Sequence, residues 1–177
     1  MSANQNRTAI ITGASRGIGV ALAKRLAADG FAVVINYANS AGPAEELAET
    51  LKSRGHKALA IQADIARPDA VTALFDKTIT EFGGVDVIVN NAGVMTTTPI
   101  ADMDDTTYDA MMDINVRGTF NMLREGAKHL RDHGRVINFS TTALHLKLPG
   151  YAVYNATKAA VEAMTGVFAK ELRGRQI

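Results

Sequence analysis

Some hydrophobic residues of this chain form short continuous runs. Longer segments, in which apolar and polar residues are mixed, separate these runs. Five of the short runs are rich in Val, Ile and Ala and predict β-strands at residues 8–12, 31–35, 57–61, 85–90 and 135–140. These runs are apolar at nearly every position, which is typical of a parallel sheet covered on both faces.

The longer segments place Ala, Leu, Val, Phe and Met at three- and four-residue spacing, which predicts helices. They span residues 17–30, 41–55, 67–83, 104–132 and 151–173. Strands and helices therefore alternate along the whole chain. With right-handed crossovers, this order predicts one α/β domain over residues 1–177, a Rossmann-type doubly wound parallel sheet in three α/β/α layers.

Composition excludes several classes of function. The 177 residues carry a formal net charge of +1, which gives no reason to expect binding to nucleic acid or to a charged membrane surface. The chain has no cysteine, and its four histidines show no metal-ligand spacing, so no metal site is expected. No apolar run is long enough to span a membrane, and the start "MSANQNRTAI" lacks a secretory pattern. A cytoplasmic protein is the expectation.

The segment "TGASRGIG" joins the first predicted strand to the first predicted helix. Gly13 suits the tight turn after the strand, Gly17 would let the backbone approach a pyrophosphate, and Gly19 would let the helix pack close to the sheet. Ser15 and Ile18 lie between them and share the turn. Free N–H groups at a helix N-terminus bind anions, so the turn predicts a dinucleotide site.

The second strand indicates which dinucleotide is preferred. An acidic residue at its end would bind the ribose hydroxyls of NAD, but Asn36, Tyr37 and Ala38 stand there instead. Arg16, inside the glycine turn, offers a guanidinium suited to a 2′-phosphate. We therefore expect NADP(H) to be preferred, with NAD(H) possible.

Three motifs occur together in the chain: "TGASRGIG", "NNAG" at residues 90–93, and Tyr154 followed four residues later by Lys158. In order and spacing they resemble the short-chain dehydrogenase/reductase family, more narrowly its single-domain 3-oxoacyl-[acyl-carrier-protein] reductases and related ketone reductases. The resemblance runs from about residue 7 to the end of the chain. It implies an NAD(P)-dependent oxidoreductase that reduces a ketone or aldehyde to an alcohol.

The resemblance also implies roles for four residues. Tyr154 would be the general acid/base, with Lys158 one helical turn away as the cation that favours the phenolate and binds the nicotinamide ribose. Asn115 would kink the long helix and hold a water in the proton relay. Ser140 is the preferred candidate for the hydroxyl that orients the substrate carbonyl, and Thr141 stays open as an alternative.

Further positions match the parts of the family that surround the cofactor. The matching residues are Asp64, Ile65, Asn90, Ala92 and Gly93. The resemblance also implies a homo-oligomer, a dimer or tetramer, that pairs through the segments 104–132 and 151–173. The apolar and Thr-rich stretches at 94–100 and 144–151 suggest a moderately hydrophobic carbonyl substrate.

Members of the family are longer, with further strands and a substrate lid after the helix that carries Tyr154. On this ground we expect a chain truncated relative to the family, in which the fifth strand lies at an open edge. The alternative to an active reductase is therefore a non-catalytic NADP-binding module or oligomer partner. A sugar-nucleotide epimerase is disfavoured because such proteins have a different glycine spacing.

Overall fold

The computed structural model describes residues 7–177. Its single sheet contains five parallel strands: β1 (Thr8–Ile11), β2 (Ala32–Tyr37), β3 (Ala58–Gln62), β4 (Val85–Asn90) and β5 (Leu130–Asn138). The strand order is β3-β2-β1-β4-β5, which places the topological switch point between β1 and β4. The predicted doubly wound α/β fold is confirmed.

In the described part of the chain, seven α-helices connect or follow the strands: α1 (Gly17–Ala28), α2 (Ala41–Ser53), α3 (Pro68–Phe82), α4 (Asp105–Met111), α5 (Thr119–His129), α6 (Ala143–Leu146) and α7 (Ala152–Glu171). A π-helical segment, Met112–Gly118, joins α4 to α5, and short 3-10 helices occur at Ile100–Asp102 and Arg173–Arg175. Within residues 7–177, no helix has the length and apolar character needed to cross a membrane.

Alternate residues of each strand point to opposite faces, and each face has its own core. On one face, Ile11 and Ile35 pack with residues of α1 and α2 such as Leu47. On the other face, Ile10 and Ile88 pack with α3 and α5. Burial on both faces explains why the strand sequences are continuously apolar instead of alternating.

Three predicted boundaries around the fifth strand are wrong. The predicted helix over 104–132 ends at His129, and β5 begins at Leu130 instead of residue 135. Leu130 is almost completely buried and pairs with Val85, so an extended backbone at this residue serves the core better than another helical turn. The strand then ends at Asn138, which places residues 139 and 140 in the segment after it.

The ends of the other helices follow the sequence signals closely. Pro68 opens α3 with Asp69 in its first turn, and Gly83 ends it in the left-handed conformation, with a φ of 80°.

β5 lies at the edge of the described sheet and pairs only with β4, and Ile137 on it is 47% exposed.

Candidate functional site

The candidate site lies where β1 and β4 end, and the turns after these two strands are joined directly. Thr12 Oγ1 accepts hydrogen bonds from the main-chain N–H groups of Asn91 (3.1 Å) and Ala92 (3.0 Å). Asn91 Nδ2 in turn donates to the carbonyls of Thr12 (2.9 Å) and Gly13 (3.1 Å). A methyl group added at Gly13 would lie 2.9 Å from Ala92 Cα, so this contact requires glycine.

The glycine turn leaves the N-terminus of α1 accessible. Gly17, the first residue of α1, has a φ of +57°, and a methyl group added there would meet no atom within 4 Å. Arg16 precedes the helix, is exposed and makes no side-chain cap, so it does not satisfy the free N–H groups of the first turn. Gly19 packs tightly instead, because its added methyl would lie 2.7 Å from Ala14 Cα. An open, uncapped helix start on a closely packed turn fits a pyrophosphate.

The residues at the end of β2 have different environments. Asn36 is buried, and its Nδ2 donates to the carbonyl oxygens of Ala63 (2.9 Å) and Ile61 (3.3 Å), so it ties the ends of β2 and β3 together. Tyr37 is also buried, whereas Ala38 is exposed. A cofactor contact by the Asn36 amide would therefore compete with its bonds to the backbone.

Asp64 and Ile65 follow β3 and differ in the same way. The exposed Asp64 carboxylate accepts a hydrogen bond from Ala66 N at 3.0 Å. The Ile65 side chain is buried, and its carbonyl accepts a hydrogen bond from Asn121 Nδ2 at 2.9 Å. The exposed Asp64 carboxylate is accessible to a ligand, whereas the Ile65 side chain could make only apolar contacts.

Asn115 lies in the π-helical segment and joins three parts of the site. Its Oδ1 accepts from Val94 N, and its Nδ2 donates to Val94 O, both at 2.8 Å. The same Nδ2 donates to Thr157 Oγ1 at 3.1 Å, and Thr157 donates to the Tyr154 carbonyl at 2.7 Å. The side chain of Asn115 thus connects the turn after β4 to the helix that carries Tyr154.

Lys158 is buried beside Tyr154. Its Nζ lies 5.8 Å from the centroid of the Tyr154 ring, within the range of a cation–π interaction, and donates to the Phe139 carbonyl at 2.9 Å. Burial lowers the pKa of the Lys158 ammonium below its ordinary value. A methyl group added at Gly93 would lie 3.3 Å from Asn115 Oδ1 and 3.8 Å from Lys158 Nζ. Asn115 and Lys158 therefore both border Gly93, and Lys158 lies beside the Tyr154 ring.

The two candidate hydroxyls after β5 differ in their partners. Ser140 Oγ donates to the carboxylate of Glu162, eight residues beyond Tyr154 on α7. Thr141 Oγ1 accepts a hydrogen bond from Ala143 N at 3.2 Å. The structure thus joins Ser140 to a residue that was not predicted to belong to the site.

Four residues of the site escaped the sequence analysis: Thr12, Asn91, Thr157 and Glu162. Asn91 lies inside the "NNAG" motif, so the motif could have indicated it. Glu162 follows Lys158 by four residues, and the helical spacing could have indicated it. Asn90, which was predicted near the cofactor, is buried and donates to Asn138 Oδ1 at 2.7 Å, which joins β4 to β5.

Comparison with known proteins identifies a matching family and several relatives of this chain. The family model described as short chain dehydrogenase matches residues 7–177. A versicolorin reductase of Emericella nidulans is 38% identical over 172 residues, which cover 97% of this chain and 65% of that protein. A 3-oxoacyl-[acyl-carrier-protein] reductase of Staphylococcus epidermidis is 38% identical over 174 residues, covering 97% of this chain and 71% of that protein.

A solved structure agrees with these sequence matches. A short chain dehydrogenase from Burkholderia cenocepacia, determined in complex with NADP, superimposes with a TM-score of 0.92 at 39% identity. The match covers 98% of this chain and 71% of that chain. This chain therefore spans 65–71% of the length of these three proteins.

Proposed function

Since the chain belongs to the short-chain dehydrogenase family, we propose that it forms the cofactor-binding and proton-donating part of an NADPH-dependent carbonyl reductase. The observation that carries this proposal is the position of Lys158. Its ammonium group lies beside the Tyr154 ring and is held by Phe139 O at the carboxyl end of β5. This is the edge of an open α/β sheet at which ligands bind.

The residues present fit a dinucleotide. The open N-terminus of α1 at Gly17 would receive the pyrophosphate, and the exposed Arg16 would pair with a 2′-phosphate. No carboxylate stands at the end of β2 to compete with that phosphate. The Burkholderia cenocepacia relative was solved with NADP, which supports the same cofactor for this chain. The rest of the surface that contacts the cofactor would be formed by Gly13, Ser15, Ile18, Gly19, Ala92 and Gly93.

The chemistry assigned to this chain is a proton transfer. When bound, NADPH supplies the hydride that adds to the carbonyl carbon. Tyr154 donates its phenolic proton to the carbonyl oxygen, which completes the alcohol. Lys158 stabilises the phenolate that remains. Asn115 keeps the turn after β4 and the start of α7 in register through Val94 and Thr157.

The substrate class proposed is a moderately hydrophobic ketone or aldehyde, including 3-oxoacyl compounds. The relatives include a 3-oxoacyl-[acyl-carrier-protein] reductase and a versicolorin reductase, which supports a ketone as the substrate. The segments that border the site carry exposed apolar side chains: Met95, Ile100, Leu146 and Leu148.

A Tyr154→Phe variant tests this proposal against the non-catalytic alternative. The phenylalanine keeps the ring beside Lys158 but has no proton to donate. We expect NADPH-dependent reduction of ethyl acetoacetate to fall by about 10²–10⁴-fold, with NADPH binding nearly unchanged. Turnover equal to that of the parent would overturn the catalytic role of Tyr154.

A further inference from the structure

Glu162 shares one side of α7 with the two residues proposed to act in catalysis. Tyr154, Lys158 and Glu162 follow at intervals of four residues, so they form one stripe along the helix. The Glu162 side chain is not needed for the core, because the residue is exposed. Its carboxylate nevertheless accepts the hydroxyl hydrogen of Ser140.

Two adjacent residues after β5 are therefore attached to two adjacent turns of α7. Phe139 is held through its carbonyl by Lys158 Nζ at 2.9 Å, and Ser140 is held through its hydroxyl by Glu162. Both contacts act on the segment that leads into Thr141. Together they fix the path of the backbone beside the Lys158 ammonium.

The two hydroxyls differ in whether a proton is left for a substrate. A serine or threonine hydroxyl carries one hydrogen, and a group that orients a carbonyl must donate it. Ser140 gives its hydrogen to a carboxylate, and such charge-assisted bonds are roughly twice as strong as neutral ones. Thr141 only accepts a bond, from Ala143 N, so its hydrogen remains available.

We propose that Glu162 is a positioning residue that holds Ser140 and leaves Thr141 as the hydroxyl that donates to the substrate carbonyl. This inference rests on the proposed carbonyl reduction. It assigns Ser140 to the placement of the strand end and Thr141 to contact with the substrate. It also assigns a role to a carboxylate that the proton transfer itself does not use.

The test compares the activities of single variants of the protein, with ethyl acetoacetate as the ketone and saturating NADPH. Thr141→Ala should lower kcat by about 10²–10³-fold, the usual effect of losing a donor to the reacting oxygen. Thr141→Ser keeps a hydroxyl and should retain most of the parental kcat. Ser140→Ala and Glu162→Ala should each lower kcat by about tenfold or less, with the Kd for NADPH unchanged.

Glu162→Gln serves as the conservative rescue, because its amide oxygen can still accept from Ser140. It should recover most of the activity that Glu162→Ala loses. The Ser140→Ala/Glu162→Ala double variant should be no worse than the poorer single variant, because both changes remove the same hydrogen bond. Glu46→Ala, an exposed carboxylate on α2, is the matched control and should leave kcat at the parental value.

Opposite results would overturn the inference. A loss of about 10²–10³-fold in Ser140→Ala, with Thr141→Ala near parental activity, would assign the carbonyl contact to Ser140. Multiplicative losses in the double variant would remove the link between Ser140 and Glu162. Tyr154→Phe separates the two claims. Parental turnover in that variant would overturn the proposed proton transfer, and the relative kcat values of the Ser140, Thr141 and Glu162 variants would still test the present inference.

Discussion

The side-chain amide of Asn115 forms two hydrogen bonds with the main chain of Val94, one in each direction and both 2.8 Å long. This pairing occurs where the helix between β4 and β5 becomes π-helical. π-Helical segments often mark functional sites, and here the irregularity brings a buried amide to the turn that follows β4. The geometry of the site therefore depends on a local departure from α-helix.

Replacing Asn115 should destabilise the fold and also impair the site. Asn115→Ala leaves the N–H and carbonyl of Val94 without their partner, at an expected cost of about 2 kcal/mol in the free energy of unfolding. Urea denaturation would measure this cost, and the same preparation should show reduced turnover. Thr78→Val is the control, because it removes a buried hydroxyl that bonds to the Leu74 carbonyl within α3, away from Asn115 and Val94. Equal effects of both variants on turnover would contradict the connection described here.

The glycine turn should not tolerate a methyl group at Gly19. Gly19→Ala would place its methyl 2.7 Å from two backbone atoms, Ala14 Cα and Gly13 O, which cannot move aside easily. We expect a loss of about 1–3 kcal/mol in the free energy of unfolding, together with weaker NADPH binding.

The matched control for the glycine turn is Gly42→Ala in α2. A methyl group there meets no atom within 4 Å, and the helical backbone suits alanine. Stability should therefore rise by about 0.5–1 kcal/mol. Destabilisation of the same size in both variants would show that close packing at Gly19 is not the cause.

The buried ammonium of Lys158 predicts a particular dependence of stability on pH. Burial lowers its pKa in the folded state, so between that pKa and the unfolded value near ~10.4 the unfolded chain binds more protons. The free energy of unfolding of the parent should therefore rise with pH through this window, relative to Lys158→Met. Paired urea denaturations from neutral to alkaline pH would measure the difference.

The control for this pH effect is Lys24→Met, which removes an exposed lysine from α1. Its difference from the parent should stay nearly constant over the same pH range. A parental advantage over Lys158→Met that shrinks as the pH rises would mean that the fold favours the charged form of Lys158, opposite to the expected sign.

An apolar groove between α5 and α7 supports the expectation of a homo-oligomer. The groove encloses about 470 Å³, and it is lined by Phe120 and Val167, which are 47% and 57% exposed. Val167→Glu should shift the protein towards the monomer in sedimentation velocity, because a charge would be buried in the contact. Ala169→Glu, on the exposed side of the same helix, is the control and should keep the parental state. Identical sedimentation of all three proteins would argue against this surface.

Most of the fold could be predicted because its signals are local. The continuous apolar runs and the capping residues, such as Pro68 and Gly83, mark elements within a few positions. The start of β5 could not be predicted in this way, because Leu130 is extended through its contact with Val85, which is distant in sequence. The π-helical segment is also invisible in the apolar spacing, since it depends on the bonds of Asn115 to the turn after β4.

The site was only partly readable for the same reason. The motifs identified Gly13, Gly17, Tyr154 and Lys158, and the roles expected of Tyr154 and Lys158 are those that the family resemblance implies. The sequence could not show that Asn36 is occupied by the carbonyls at the end of β3, or that Ser140 is paired with Glu162. Those facts depend on how separate elements meet in three dimensions.

Arg16 carries the predicted preference for NADP(H). Arg16→Ala removes the guanidinium proposed to pair with the 2′-phosphate, so NADPH affinity should fall by about 10–100-fold while NADH affinity changes little. Cofactor fluorescence titration measures both values. Arg54→Ala, an exposed arginine at the end of α2, is the control and should bind both cofactors as the parent does.

The most direct test of the whole account is the titration of the purified protein with NADPH and NADH, followed by cofactor fluorescence and thermal shift together. We predict saturable NADPH binding that raises the unfolding temperature, with NADH at least about tenfold weaker. Such a result would support one NADPH site formed by the open N-terminus of α1 and Arg16. Binding of neither cofactor, or tighter binding of NADH, would contradict the account.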